Sequence, residues 1–369
     1  MTAQRRLGLV AVLAALVIGA ISAVIDVRSH DFVALYAAAR LVLDGRGPAV
    51  LDPAAVLAAE QAAEPTRDVL LPFVHPPVVA LALAPLAATG IVPAVIAMTA
   101  LNVGCLAWSL TRLGRLTAAG QHTRLFALAL FAPPALIALT QGQTSPAVLA
   151  LVASAVGARP LGRGIALGLT LIRPQTFPLL ALAALTDRTA ALGLAAGAAI
   201  VVGGSALVVG PDGLASYMAT LVSAAGWSTT GEQGVRTAIG WEGPALALGI
   251  GTAGLVASAI CAVAGAVIVR RGRDADAIAR ASLWSLLASP HVLLHDGLLA
   301  YPAVASASTT TRRALALALS GYAVALIHQA GLPIAPFWLL ALAFLSERGW
   351  HGARGLVRGA DRTTENEKA

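Results

Sequence analysis

The chain has 369 residues, of which 58% are hydrophobic and 12% charged, and its mean hydropathy is +0.80. A soluble domain carries about 25% charged residues, so this chain cannot cover itself with a water-compatible surface, which excludes a soluble enzyme and points to a polytopic membrane protein. The net charge is +7, carried by 25 basic residues of which only Lys368 is a lysine; spread one or two per loop, these read as an orientation signal and not as a nucleic-acid surface.

In chain order, Met1 to Arg6 precede an apolar run over 7–27, which reads as a retained signal-anchor helix. Further apolar runs follow at 75–88, 91–111, 124–140, 144–158, 162–186, 189–210, 244–269, 276–289, 297–310, 312–330 and 333–346. They predict an all-α bundle of about 9–12 membrane segments, several shorter than the ~20 residues of a straight span. Residues 1–346 form one membrane domain and 347–369 a polar tail. Cys105 and Cys261 lie alone in apolar runs and imply neither a disulfide nor a metal site.

Arg-rich loops face the cytoplasm, which predicts cytoplasmic termini in a multi-pass protein of the cell membrane. This requires the 75–88 run to return to its own side. It also requires the 162–186 run to be a hairpin turning at Arg173-Pro174-Gln175, where proline removes a helical donor. The outer side then holds the loop 28–74, the turns at Gln141-Gly142-Gln143 and Arg173-Pro174-Gln175, the loop 211–243 and the turn from Ser289 to Asp296. On that assignment the inner segments carry +12, the outer ones −4, and Asp26 the remaining −1. Nearly every polar residue suited to chemistry falls on the outer side.

In the first outer loop, Phe32, Leu35, Tyr36, Ala39 and Leu43 fall at helical spacing, so 31–43 is an amphipathic interfacial helix. A second such helix starts at Pro53 and ends near residue 64. Asp31 heads the first helix, where it either caps the first turn or serves as a general base. His30 and Tyr36 flank it as substrate-binding candidates. Arg173 stands in an apolar stretch, where a cation faces a cavity, grips an anion such as a lipid phosphate, or pairs with a carboxylate such as Asp296. His291 and His295 have the i, i+4 spacing of metal ligands, but no accompanying Glu supports a zinc site, and hydrogen bonding to substrate is the better reading for them and for Asp296. His75, Gln141 and Gln143 are further substrate-binding candidates. Tyr217, Trp227 and Trp241 are interfacial anchors or sugar-stacking rings. Gly162-x-Gly164 is a lone turn, and no nucleotide-binding glycine motif or serine-hydrolase pattern occurs. No cofactor is implied, and the spacing gives no indication of a divalent metal.

Several of these residues occur in an ordered series. Asp31-Phe32 with Tyr36 comes first, then Gly45-Arg46-Gly47-Pro48 and Leu51-Asp52-Pro53. Phe73-x-His75-Pro76-Pro77, Gly142-Gln143, Arg173-Pro174-Gln175 and Ser289-Pro290-His291 with Asp296 follow. The series resembles glycosyltransferase family 87, the polyprenol-phosphate-sugar-dependent mannosyltransferases of the GT-C superfamily. His75 stands where relatives often have Tyr, and Arg173 where they often have Lys. The resemblance implies a GT-C-type helical bundle. It implies inverting transfer of a hexose, mannose first, from a polyprenyl-phosphate donor to a lipid-linked or cell-envelope glycan on the outer face. It implies Asp31 as general base, and Arg173 with Gln175 as donor-phosphate ligands. Membrane lipids are the surroundings and nucleic acid is not a partner. Arabinofuranosyl transfer from the same class of donor, or transport of a polyprenyl-linked sugar, are the alternatives.

Overall fold

In the computed structural model, residues 8, 10–18, 21, 31–114, 129–224, 238–272, 274–307 and 311–346 are described. Among them every regular element is helical, and the sole β feature is an isolated bridge between Ala238 and Leu293. The first run is helical over residues 10–18. The loop expected to carry two helices does carry them, α1 (Phe32–Leu43) and α2 (Pro53–Ala63). Asp52 starts α2 by accepting the amide of Ala54 at 2.9 Å, with Pro53 in the first turn where its missing N–H is not needed.

α1 differs from an interfacial helix in one respect. Nine of its 12 residues are buried, and only Arg40 and Leu43 are exposed. Its sequence, FVALYAAARLVL, has no polar face, and a helix apolar all round is a core helix. It packs against α3 (Pro77–Ala87), and both form a second core with Phe73, Met98 and Val208. α3 is 11 residues long and carries Pro85 inside it, which fits a broken run.

α4 (Ile91–Leu113) is long and apolar enough to cross a membrane. α5 (Pro133–Thr140), α6 (Ser145–Ala155), α7 (Pro160–Leu169) and α8 (Phe177–Ala184) are all short. A 3-10 turn (Thr170–Ile172) ends α7, so the 162–186 run is interrupted at Arg173-Pro174-Gln175 as the prolines predict. α9 (Arg188–Ala224) runs further than its apolar stretch. Gly210 has φ +76°, which breaks the helix, and Pro211 restarts it at a position that needs no amide donor. The segment expected as an outer loop over 211–243 is therefore helical up to Ala224 and again in α10 (Glu242–Ala247). α11 (Gly251–Arg271) is another helix of spanning length. α12 (Asp274–Ala288) packs along α11, a 3-10 segment (Leu294–Ala300) leads into α13 (Tyr301–Ala307), and α14 (Thr311–Gln329) and α15 (Ala335–Ser346) close the bundle. The polar tail 347–369 lies outside the described residues.

Large apolar side chains point outward from the spanning helices: Leu192 is 69% exposed, Leu207 84% and Val263 69%. In water such a surface would be an aggregation liability, whereas lipid covers it without cost. The chain is an all-α polytopic membrane protein.

The closest helix pair shows what holds the interior together where lipid supplies no hydrophobic drive. Gly164 and Gly168 on α7 face Gly193 and Gly197 on α9, each pair four residues apart. A Cβ on Gly168 would fall 2.4 Å from the Leu194 carbonyl oxygen, and one on Gly197 2.4 Å from that of Ile165. Gly164 is thus a helix-packing residue and not part of a turn. Small residues spaced in this way let two backbones touch, so dispersion replaces the hydrophobic effect as the packing force. We expect Gly168→Leu to cost at least the ~1–3 kcal/mol of overpacking. Gly203→Ala, on the open face of the same helix, should leave stability unchanged or slightly raised. Thermal unfolding midpoints in detergent check this, and equal effects of the two substitutions would contradict the packing.

Candidate active site

Four chain breaks meet in one polar cluster. The first is the turn after α5. The Gln143 amide donates to the Ala138 carbonyl at 3.0 Å and the Gly142 amide to that of Leu139 at 3.4 Å, a Schellman-type helix end. Gly142 has φ +62°, and a Cβ there would lie 2.7 Å from Cβ of Phe32. Only glycine satisfies both conditions, and the resulting close approach presses the turn against the start of α1. Through it Gln141 serves the backbone: its Oε1 accepts the Asp31 amide at 3.3 Å and its carbonyl accepts the Phe32 amide at 3.1 Å. A sugar-facing role for Gln141 gives way to holding the first turn of α1.

The second break is the start of α1 itself. The Asp31 side chain makes no capping bond. Its Oδ2 accepts instead from Gln143 Nε2 at 2.5 Å, and among the described residues this is the one donor to the carboxylate. Burial pushes the Asp31 carboxyl above the usual carboxylate value of 3.8. The Gln143 hydrogen bond and the charges of Arg67 and Arg173 pull it partly back. A capping role alone would leave this arrangement without a reason.

The third break places Arg173, which is 4% exposed. Its Nη1 donates to Oδ1 of Asp296, its Nε to Thr144 Oγ1 at 3.2 Å, and its Nη2 to Gln143 Oε1 at 3.2 Å and to Nε2 of His295 at 3.1 Å. A guanidinium has five N–H donors, so four are taken by the protein. The pairing with Asp296, one of the readings the sequence offers for Arg173, is present in the structure. Gln175 on the same turn is half-buried and makes no hydrogen bond to the cluster among the described residues.

The fourth break follows α12. Ser289-Pro290 ends that helix, the chain extends through Val292, and the 3-10 segment then delivers His295 and Asp296. Asp296, 1% exposed, also accepts Ser145 Oγ at 3.0 Å and the Leu293 amide at 3.2 Å. His291 and His295 do not converge. His295 faces Arg173, while His291 lies 3.6 Å from Glu242. A 3-10 segment preceded by extended chain lacks the helical turn that would bring an i, i+4 pair onto one face. His75 Nε2 lies 2.9 Å from Thr144 Oγ1, and burial with the nearby Arg173 charge lowers its pKa to about 3, so the ring is neutral. Burial, the Arg173 charge and the neighbouring His291 and His75 hold His295 well below its ordinary value.

Other expected residues fall elsewhere. Tyr36 packs in the α1 core with Phe32, ring centroids 6.4 Å apart. Tyr217 donates to the Val74 carbonyl at 3.2 Å, and Trp241 packs edge-on to Phe337 with its Nε1 on Cys261 Sγ at 3.2 Å. Both serve packing. His30 and Trp227 lie outside the described residues.

Sequence reasoning missed Thr144, Ser145, Asn102 and Arg67. Asn102 is fully buried midway along α4 and donates to the Gln143 carbonyl at 2.9 Å. A polar residue within a spanning run was the signal available for it. Arg67 has no local feature to single it out in the sequence, yet its charge acts on Asp31 ahead of that of Arg173. It also acts on Glu60, a buried carboxylate of α2 whose Oε2 accepts the Leu71 amide at 3.1 Å and whose pKa is raised by burial to about 7. Among the described residues no group of three or more His, Cys, Asp or Glu is placed to hold a metal ion.

The arrangement suits proton abstraction from a neutral nucleophile. A half-buried carboxylate held by the Gln143 amide joins, through that glutamine, the ion-paired Arg173 and its neutral histidine neighbour. No curated protein and no solved structure matches the chain. The family model described as glycosyltransferase family 87 matches residues 73–295, which takes in His75, Gln143, Arg173 and His295. That match covers more than half of the sequence: the chain belongs to glycosyltransferase family 87 and is a membrane glycosyltransferase.

Proposed function

We propose that this protein transfers a hexose, mannose in the first instance, from a polyprenyl-phosphate donor to a hydroxyl of a lipid-linked or cell-envelope glycan, with Asp31 as general base. The observation that carries the reading is the Asp31 carboxylate: raised by burial, free of capping duty, and aimed by Gln143. In the proposed step, Asp31 takes the proton of the acceptor hydroxyl as its oxygen attacks C1 of the sugar. The C1–O bond to phosphate breaks on the opposite face, so the anomeric configuration inverts. Phosphate is already a good leaving group, so the step needs a base and electrostatic support more than a general acid.

Two arginines stand near the base, with different parts. Arg173 has one uncommitted N–H, and its charge is largely spent on Asp296, so its part is to hold Gln143, Thr144 and His295 in register. Arg67, in the segment just before His75, is the second cation within reach of Asp31. His75 and His295, neutral at pH 7, can hydrogen-bond sugar hydroxyls without repelling a cationic neighbour. The charge asymmetry of the loops supports the outer face of the cell membrane as the side of reaction, with both termini cytoplasmic.

Five outcomes test this. In proteoliposomes given polyprenyl-phosphate mannose and membrane lipids, Asp31→Asn should lose roughly 100–10,000-fold in transfer rate while keeping the unfolding midpoint of the parent. Parental turnover by the variant would contradict Asp31 as base. The acid limb of kcat/KM should titrate above 3.8, because the folded carboxyl is raised and the base is active only above its own pKa. Gln143→Leu removes the N–H that favours the anion, so that limb should move to still higher pH; an unmoved limb would detach Gln143 from the base. Arg173→Ala strands Asp296 in the interior and should cost about 3–5 kcal/mol. Pairing Arg173→Met with Asp296→Leu should recover most of that stability without recovering transfer, as thermal melts and turnover together would show.

A further inference from the structure

Glu60 on α2 is a buried carboxylate that the proposed reaction does not use. It is 0% exposed; its Oε2 accepts the Leu71 amide at 3.1 Å, and its Oε1 is buried without a hydrogen-bond partner. Taking a carboxylate out of water to hold one backbone amide is costly, so the position calls for a further reason.

That reason lies in the segment Glu60 holds. Residues 64–76 run from the end of α2 to the start of α3 without a regular element, so side chains must hold them in place. Gln61 Nε2 donates to the Arg67 carbonyl at 3.1 Å, Glu60 takes the Leu71 amide, and Phe73 is buried in the second core. Tyr217 on α9 donates to the Val74 carbonyl at 3.2 Å, and His75 meets Thr144 of the polar cluster at 2.9 Å. The segment is a strap tied at residues 67, 71, 73, 74 and 75, and Glu60 makes the tie at its middle.

The strap carries Arg67, whose charge acts on both Glu60 and Asp31. The Arg67 amide donates to the Glu64 carbonyl at 3.1 Å, so the backbone from which its side chain reaches is fixed by where the strap lies. Of the other groups that act on Asp31, Gln143 is the hydrogen-bond donor and Arg173 is committed to Asp296. The remaining charges on the elements packed against α2 are engaged among themselves. Arg40 and Asp44 of α1 pair at 3.1 Å, and Asp52 caps α2.

We propose that Glu60 is a positioning residue for the transfer reaction: it holds the 64–76 strap so that Arg67 stays within reach of Asp31 and favours the ionised base. The inference rests on Asp31 as the base proposed above. Hydrogen bonding, more than charge, is what Glu60 contributes in the acid range. Burial raises its carboxyl to about 7 against the pull of the Leu71 amide and Arg67, so below that pH it is neutral and still offers an acceptor.

The sign of the effect follows. Arg67 lowers the Asp31 pKa, so losing it raises that pKa and moves the acid limb of kcat/KM to higher pH. Glu60→Gln keeps an acceptor for Leu71 and should leave the limb at its parental pH. Glu60→Leu fills the space but releases the strap, and the limb should rise by about one pH unit. Arg67→Met should raise it equally, and the double variant Glu60→Leu/Arg67→Met no further, because both act through one cation.

The test uses the full-length protein in vesicles, with a second readout that needs no substrate. Dicyclohexylcarbodiimide modifies buried carboxyls only when they are protonated, and peptide mass spectrometry locates the label. The pH of half-maximal labelling at Asp31 should stay parental in Glu60→Gln and rise by about one unit in Glu60→Leu and Arg67→Met. Glu60→Met replaces Glu60→Leu if the latter does not fold. An unmoved midpoint in the apolar variants, an equal rise in Glu60→Gln, or additive rises in the double variant would overturn the inference. The expected labelling pattern in a protein that transfers no sugar would uphold Glu60 and defeat the proposed reaction instead.

Discussion

The ion pair between Arg173 and Asp296 is the constraint on which the rest of the site depends. Both partners are almost fully buried in an apolar bundle, where an uncompensated charge would cost several kcal/mol. Neither side chain can therefore relax away from the other, nor from the hydroxyls and amides that complete their shells. Because the pair joins the turn after α7 to the segment after α12, it fixes the relative depth of two chain breaks that no backbone ladder connects. Thr144 and Ser145 add the start of α6 to the same node through Arg173 and Asp296. A membrane bundle has little hydrophobic preference for one helix register over another, and a buried charge pair supplies that preference.

From this node the order extends to the base. Arg173 holds Oε1 of Gln143, which leaves its NH2 group to face Asp31, so the guanidinium decides which way the amide points and hence that a donor meets the carboxylate. Gly142 lets that turn approach α1 closely enough for the bond to form. The glycine faces of α7 and α9 lock two helices of the frame backbone to backbone, so the broken segments around Arg173 are carried on a stiff support. The short helices end in the bundle interior at the cluster, and irregular backbone is tolerable at such depth only where it lines a polar site. An apolar cavity lies on the far side of the same 3-10 segment, lined by Leu294, Gly297 and Ala300.

The helical class, the two helices of the first loop and the break at Arg173-Pro174-Gln175 were legible in the sequence. Each follows from local rules: apolar run length, a prolyl start, a lost amide donor. The pairing of Arg173 with Asp296 was readable only as one of several partners, because 123 residues separate them and nothing local selects between a carboxylate and a phosphate. Thr144 gives no sign of itself in the sequence for a related reason, since its importance comes from what lies opposite. The helix over 211–224 is not legible because the apolar run stops at 210, whereas in the structure Gly210 and Pro211 kink one helix and begin the next. α1 was read as amphipathic from the spacing of its large residues, but the alanines between them are equally buried. His291 and His295 have an i, i+4 spacing on a segment that is not α-helical, in keeping with the reading that they are not a ligand pair on one helix face.

The proposed reaction makes a stereochemical commitment that a single measurement can examine. A lone base that activates the acceptor, with no second carboxylate taking part as nucleophile, produces one displacement and one inversion. Purified protein in vesicles should be given β-linked polyprenyl-phosphate mannose labelled with carbon-13 at C1 and a native lipid extract. The anomeric one-bond coupling of the labelled product then reports the configuration directly. The account predicts an α-linked mannose on a lipid-borne glycan. A β-linked product, or no transfer from this donor by the folded wild-type protein, would contradict it.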